Sequence, residues 1–152
     1  MATSTVSSVT GDVWQLIASN TPTTSPTQID FSSISGYKTI MVACKGITTG
    51  GAATIGIICN NNTTTGNYAG SNAGGTETVL TMNYGAGAGA RGLMAVIYDV
   101  DKSTIHRATT SAMYTISNNQ AYLDPTPITT LSIYAGGQTI TGGTIYLYGI
   151  AA

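Results

Sequence analysis

The chain has 152 residues, which is enough for one domain with a single hydrophobic core. Charged residues make up only 7% of the chain, against roughly 25% in an ordinary soluble domain. With five basic and six acidic residues, it offers no electrostatic footprint for nucleic acid or for an anionic membrane, which excludes partners held mainly by charge. A polar surface with so little charge favours a protein that packs within an assembly.

The apolar residues fall into short runs rich in Ile, Val and Tyr, a pattern typical of many strands separated by turns. No run approaches the roughly 20 apolar residues of a membrane span. The first residues, Met-Ala-Thr-Ser-Thr, have neither the basic start nor the apolar centre of a signal peptide, so we expect synthesis in a cytoplasm. Residues 1–152 are expected to form one domain, with residues 1–10 as an extended N-terminal arm.

The first predicted strand covers residues 12–18, in which Trp14 and Leu16 share one face. Trp14 is expected either in the core or as the anchor of a subunit contact, because a Trp side chain supplies a large apolar area in both settings. The strand ends before the loop at residues 20–26, whose two prolines lack the amide donor of a sheet ladder.

The following strands are predicted from apolar residues that recur with a period of two. They cover residues 28–31, 37–45, 53–59, 76–84, 93–100, 104–116, 128–135 and 142–150. Asn118-Asn119-Gln120 is predicted to be a turn. Because no segment repeats with a period of 3.6 residues, the sequence predicts an all-β protein, an antiparallel β-sandwich that is jelly-roll-like and has 8–10 strands.

The last predicted strand has two different apolar faces, because successive strand side chains point to opposite sides. Ile145 and Leu147 point one way, and Tyr146, Tyr148 and Ile150 point the other. Such a strand is expected in the middle of a sheet, with one face on the core and the tyrosine face against another layer or subunit. The candidate residues of an oligomer interface are Trp14, Tyr146, Tyr148 and Ile150.

Two loops are candidates for contact with a receptor or partner. Residues 60–75 are rich in Asn, Thr and Gly, and Tyr68 is the natural residue there to stack on a sugar ring. Residues 85–92 contain a G-x-G-x-x-G pattern, but a strand follows where a phosphate site needs a helix, so a flexible or closely packed hairpin loop is expected. The candidate contact residues in these loops are Asn61, Asn62, Tyr68 and Arg91.

No catalytic, cofactor or metal site is predicted. Cys44 and Cys59 lie in apolar runs, which favours buried free thiols over a disulfide between neighbouring strands. His106 could act as a base with Asp99 or Asp101 in a Ser-His-Asp set, but its position on a polar strand favours a surface or interface histidine. Asp99-Val100-Asp101 could offer oxygens to Ca²⁺, although such a pattern at a strand end is more often a turn.

Three segments occur in a characteristic order. Residues 11–18 carry a W-x-L strand, residues 29–40 an F-S-S-I turn leading through Tyr37 to an apolar strand, and residues 143–150 a terminal I-x-L-Y-G-I. Together they resemble a family of tailed-bacteriophage virion proteins. A proline commonly stands in that family where this chain has Ser35, and residues 46–142 match only in their Gly, Asn and Thr content.

The resemblance implies a β-sandwich displayed on the virion surface, commonly as a trimer, and it supplies no catalytic residues. A small domain without shaft-like repeats favours a capsid decoration (cement) protein, which would bind copies of itself and the major capsid protein. The alternative is a tail or head fibre, or receptor-binding subunit, that contacts host surface glycans. On either reading the chain is made in the host cytoplasm and binds neither nucleic acid nor membrane.

Overall fold

The computed structural model describes residues 12–70, 78–86, 89–112 and 115–152, and the expected arm at residues 1–10 lies outside them. Within these ranges the chain forms eleven strands, and no helix there is long and apolar enough to cross a membrane. The strands are β1 (Gln15–Asn20), β2 (Gln28–Phe31), β3 (Tyr37–Thr49), β4 (Ala53–Cys59), β5 (Tyr68–Gly70), β6 (Leu80–Ala86), β7 (Arg91–Tyr98), β8 (His106–Ala112), β9 (Thr115–Tyr122), β10 (Leu131–Tyr134) and β11 (Ile140–Ala151).

The strands form two antiparallel sheets. The larger sheet has the order β1-β11-β3-β7-β8-β9-β5, and the smaller has the order β2-β10-β4-β6. Eight strands pair in a nested way: β1 with β11, β2 with β10, β3 with β7, and β4 with β6. This nesting, divided between two sheets, is the topology of a jelly roll, so the predicted fold class is confirmed.

Three strands lie outside the jelly roll, which is why the described residues hold eleven strands and not the predicted eight to ten. β8, β9 and β5 continue the larger sheet beyond β7, and we call them the sheet extension. The predicted single strand at residues 104–116 is in fact β8 and the start of β9, separated by residues 113 and 114, which lie outside the described ranges. The predicted turn at Asn118-Asn119-Gln120 is also wrong, because these residues lie within β9.

The core lies between the two sheets and is filled by alternate residues of the strands. Ile40, Val42 and Cys44 on β3 are buried on one face, as the sequence predicts, and so are Ile55 and Cys59 on β4. Both cysteines are buried free thiols, which confirms the prediction for them. Burial raises the pKa of the Cys44 thiol to about 12 and that of the Cys59 thiol further, so neither is a reactive thiolate at neutral pH.

Two further predictions about elements need correction. β1 begins at Gln15, and Trp14 is 38% exposed, so Trp14 is not part of the core. The glycine-rich segment at residues 85–92 does not close a hairpin, because β6 belongs to the smaller sheet and β7 to the larger one. It is a crossing between sheets, of which residues 87 and 88 lie outside the described ranges.

Candidate functional site

The face of the larger sheet that points away from the core carries a largely apolar surface. Directly opposed residues of an antiparallel pair lie on the same face, so the strand registers define rows across the sheet. Leu16, Tyr148, Met41 and Val96 form one such row over β1, β11, β3 and β7. All four side chains are exposed or half-buried. The full set, which we call the apolar surface, is Leu16, Met41, Ala43, Met94, Val96, Tyr98, Tyr146, Tyr148 and Ile150.

The structure brings together the residues predicted for an oligomer interface. Tyr146 and Tyr148 are half-buried neighbours on β11 whose ring centroids lie 6.3 Å apart, and Ile150 follows on the same face. Trp14 precedes Gln15, the register partner of Gly149, so it lies at the same end of the sheet as Ile150. That these side chains contact another subunit stays a prediction.

Residues of β3 and β7 that were not predicted from the sequence complete this surface. Met41 and Val96 lie directly opposite one another, and Met41 also faces Tyr148. The available signal was the alternation in Leu93-Met94-Ala95-Val96, where both sets of positions are apolar. Which set faces outward depends on the register, because a shift of one residue exchanges the two faces.

Next to the apolar surface, over β7 and the sheet extension, lies a groove of about 850 Å³. Its floor is formed by outward-facing residues: Thr109 on β8 opposes Asn119 on β9, and Arg107 opposes Ala121. Tyr98 forms one wall and is 42% exposed. The other residues that line the groove are Lys38, Thr39, Ala69, Gly70, Asp99, Ala108 and Gln120.

The charged groups at the groove have different surroundings. Lys38 Nζ lies 2.6 Å from Asp12 Oδ1, so its charge is balanced by an ion pair. Arg107 is exposed and forms no salt bridge within the described ranges. Asp99, which has a positive φ of 57°, lines the same groove. The groove therefore contains hydrogen-bond donors and acceptors side by side.

A buried glutamine fixes the sheet extension to the opposite sheet. The Gln120 side chain accepts a hydrogen bond from the backbone N–H of Thr81 at 2.7 Å and donates to the carbonyl of Thr81 at 2.7 Å. It also donates to Thr110 Oγ1 at 2.9 Å. Gly70 leaves room for it, since a Cβ there would lie 2.7 Å from Gln120 Cγ. The floor of the groove is thus a rigid part of the sandwich.

The predicted contact residues Asn61 and Asn62 lie in a tight turn after β4. Asn60 and Asn61 both have positive φ, 51° and 54°, and the N–H of Asn62 donates to the carbonyl of Cys59 at 2.9 Å, as in the turns that join twisted strands. Asn62 donates from Nδ2 to Asp124 at 3.0 Å, so its side chain serves the fold. Asn61 is exposed, and its Oδ1 accepts a hydrogen bond from Ser132 Oγ at 3.4 Å.

Tyr68 does not occupy the loop position expected for it, because residues 68–70 form β5. Its side chain is only 1% exposed. The hydroxyl donates to the carbonyl of Asn62 at 2.7 Å and accepts from the backbone N–H of Cys59 at 2.9 Å. Burial raises the pKa of this phenol well above its usual range. The ring has no face available for a sugar, which corrects the expectation of a stacking role.

Tyr68→Phe is expected to destabilise the protein by about 1–3 kcal/mol, because it leaves a buried N–H and a carbonyl without their partner. The matched control is Tyr98→Phe, which removes the same hydroxyl from an exposed ring and should change the free energy of unfolding by less than about 0.5 kcal/mol. Urea unfolding followed by fluorescence measures both. Equal losses for the two variants would contradict the structural role of the Tyr68 hydroxyl.

Arg91 also differs from its predicted position in a loop. It is the first residue of β7, and its side chain points to the inner face and is buried. Burial lowers the pKa of the guanidinium, because a charged group is poorly solvated there. Arg91 is therefore not available as a receptor contact.

His106 is buried. This corrects the prediction from its polar strand, which placed it at the surface or at an interface. Nδ1 lies 2.9 Å from the carbonyl oxygen of Asp99, and Nε2 lies 2.8 Å from that of Thr126. With both nitrogens engaged by backbone, His106 is not placed to take a proton from a substrate. Asp101 accepts a hydrogen bond from Lys102 at 2.6 Å, and in the described ranges no three His, Cys, Asp or Glu side chains cluster as metal ligands would.

Comparison with known proteins adds little to this geometry. No protein-family model matches the chain, and no curated protein sequence matches it. Among solved structures, the chain is similar to the crystal structure of A. japonicus CB05, with 9% sequence identity and a TM-score of 0.40. The similarity covers 91% of this chain and 26% of that chain. At this identity and TM-score it carries no argument about function.

Proposed function

We propose that this protein is a structural subunit of a tailed-bacteriophage virion, acting as a capsid decoration protein, and that it associates through the apolar surface of its larger sheet. The observation that carries the proposal is the exposure of apolar side chains from four neighbouring strands on one face of the larger sheet. Leu16 is 56% exposed and Met94 is 43% exposed, on strands at either side of β11 and β3. Contiguous apolar patches of this kind typically mark sites of protein contact.

The composition of the surface supports an interface between subunits. Aromatic residues and Met are enriched in interface cores, whereas charged residues are depleted there. Tyr146, Tyr148, Met41 and Met94 fit this pattern. Association through such groups should depend little on salt, because few charges take part. Many weak, repeated contacts of this kind can add up to a durable shell around a capsid.

The assignment to a bacteriophage virion draws on the ordered sequence resemblance of residues 11–18, 29–40 and 143–150. The jelly roll is consistent with it, because this fold occurs in viral capsid proteins, although it also occurs in lectin domains. Since one fold serves several functions, the assignment to a virion needs its own test.

The double variant Leu16→Glu/Met94→Glu is expected to lose self-association. Burying one such side chain stabilises a contact by about 1.5–3 kcal/mol, so two buried carboxylates should weaken association by about a hundredfold or more. Sedimentation velocity measures the oligomer mass, and circular dichroism checks the fold. The control, Thr63→Glu/Thr65→Glu, adds the same two charges in an exposed loop outside the apolar surface and should leave the mass unchanged. A variant that associates as the parent does would refute this interface.

The location on the virion is tested by cryo-imaging of purified particles that carry the labelled protein. Many copies distributed over the head would support decoration and exclude a fibre. A few copies at the tail would exclude decoration, and no copies on the particle would refute a virion role altogether.

The groove over the sheet extension favours a second candidate function, that of a fibre or receptor-binding subunit that contacts host surface glycans. The eight strands of the jelly roll pair with one another without β5, β8 and β9. These three additional strands form the groove beside Tyr98. A rigid concave site with an exposed aromatic ring is a usual place for a small ligand.

A further inference from the structure

We propose that the groove binds a neutral oligosaccharide, with Tyr98 as the stacking surface and with Arg107, Thr109 and Asn119 as hydrogen-bonding groups. The inference deepens the receptor-binding candidate, on which it rests, and it is tested separately from decoration through the apolar surface. The groove has a volume of about 850 Å³, within the roughly 300–1,000 Å³ of small-molecule sites.

Tyr98 supplies the apolar contact that a sugar ring requires. It is the last residue of β7, and its partner across the strand pair is Thr39 on β3. The ring is 42% exposed and forms a wall of the groove. A pyranose has one face of C–H groups, which packs against the face of an aromatic ring while its hydroxyls remain at the edge. A small polar ion or a phosphate would make no use of such a wall.

The floor of the groove supplies groups that match sugar hydroxyls, which both donate and accept hydrogen bonds. Thr109 and Asn119 lie opposite one another on β8 and β9 and both point outward. Thr109 Oγ1 lies 3.5 Å from Asn119 Oδ1, a weak contact that a ligand hydroxyl can replace. Arg107 adds donors from the same strand, and Asp99 adds acceptors at the edge.

The balance of charge favours a neutral ligand over an acidic one. Among the residues that the structure describes, the two cations at the groove, Lys38 and Arg107, are matched by two carboxylates. Asp12 forms an ion pair with Lys38, and Asp99 lines the same groove as Arg107. Without an excess of positive charge, the groove does not attract anions over distance. An oligosaccharide without carboxylates fits this balance.

The floor of the groove is held in place by contacts on the side of the sheet that faces the core. Gln120 neighbours Asn119 on β9, and its side chain is fastened to the backbone of Thr81 on β6 in the opposite sheet. His106 neighbours Arg107 on β8, and its ring is fastened to the carbonyls of Asp99 and Thr126. The inward-facing side chains of Gln120 and His106 thus hold β9 and β8 in place. The outward-facing residues next to them would bind the ligand. Such preorganisation lowers the entropy cost of binding.

The test uses the full-length protein and immobilised oligosaccharides of glucose, galactose, mannose and N-acetylglucosamine, with uronic-acid oligosaccharides as a second group. We expect binding to at least one neutral probe. Tyr98→Ala should weaken it about tenfold or more, since buried aromatic anchors supply a large share of binding energy, and Arg107→Ala about fivefold. Tyr98→Phe keeps the ring and should stay within about threefold of the parent. Ile105→Ala removes an exposed apolar side chain that is outside both the groove and the predicted oligomer interface, and it should change nothing.

Four results would overturn the inference. Binding to the uronic-acid probes alone would show that the ligand class is wrong. Binding that survives Tyr98→Ala would place the sugar site elsewhere. If labelled protein adheres to host cells but to no neutral probe, receptor binding stands and the proposed ligand fails, whereas adhesion to neither would also remove the receptor-binding candidate. In every case the decoration proposal is judged separately, by Leu16→Glu/Met94→Glu.

Discussion

Gly143→Ala is expected to destabilise the fold by about 3 kcal/mol or more, among the largest effects of a single methyl group in this protein. Gly143 has a φ of +93°, which L-residues rarely adopt. A Cβ there would lie 2.6 Å from Ile47 Cα and 2.7 Å from the carbonyl carbon and oxygen of Gly46. These are backbone atoms of the paired strand β3, so they cannot rotate away as a side chain can.

The crowding arises because both strands are irregular at the same point. The register of β11 against β3 shifts between Gly142 and Thr144, and that of β3 against β7 shifts between Cys44 and Ile47. Gly46, with a φ of +63°, lies at the second shift. Glycine at these bulges lets β3 and β11 remain paired along most of their length. Gly143→Ala therefore disturbs the pairing of two central strands of the larger sheet.

The control for Gly143→Ala is Gly92→Ala, on an exposed position of β7 where a Cβ would meet nothing within 4 Å. We expect it to change the free energy of unfolding by no more than about 0.5 kcal/mol. Guanidinium unfolding curves for both variants measure the difference. Similar midpoints for Gly143→Ala and the parent would contradict the close approach of β3 and β11.

His106→Ala is expected to cost about 3 kcal/mol. The imidazole is fully buried and packs against Tyr122, with ring centroids 5.9 Å apart. Its two nitrogens connect the carbonyl of Asp99, at the end of β7, to that of Thr126, in the loop before β10. Removing the ring leaves a cavity and takes the hydrogen-bond donor from at least one of the two carbonyl groups, and each loss is unfavourable on its own.

Two further variants separate these contributions. His106→Phe fills most of the space but cannot donate hydrogen bonds, so it should still lower the free energy of unfolding by about 1–3 kcal/mol. Arg107→Ala changes the next residue of β8, whose side chain is exposed, and should cost less than about 0.5 kcal/mol. Thermal and urea unfolding give both values. If His106→Ala were as mild as Arg107→Ala, the histidine would not hold these loops together.

The functional proposals divide the larger sheet into two regions. The apolar surface covers β1, β11, β3 and β7, which belong to the jelly roll, whereas the groove lies over β7 and the sheet extension. Tyr98 belongs to both, at their boundary. An assembly through the apolar surface would thus cover Tyr98 and leave the polar side of the groove at the rim of the interface. A subunit that decorates a particle in this way would not offer the Tyr98 ring to a sugar, so the two proposals describe alternative uses of this face.

Local sequence determined the class of fold. Side-chain alternation in a strand follows from covalent geometry, so a period of two in residues 142–150 already separated Ile145 and Leu147 from Tyr146 and Tyr148. The same local signal located most strands and the two buried cysteines. It failed at Asn118-Asn119-Gln120, where residues typical of turns lie in β9 because the Gln120 amide finds partners on β6.

Tertiary structure alone decided which residues share a surface and which polar groups are buried. Tyr68 and His106 are inside because backbone groups of other segments satisfy their polar atoms, and such partners cannot be read from neighbours in sequence. The contact between Tyr148 and Met41 depends on the pairing of β11 with β3. The groove likewise depends on β8 and β9 lying beside β7. Strand pairing joins residues that are distant along the chain, and a local period of two carries no information about that choice.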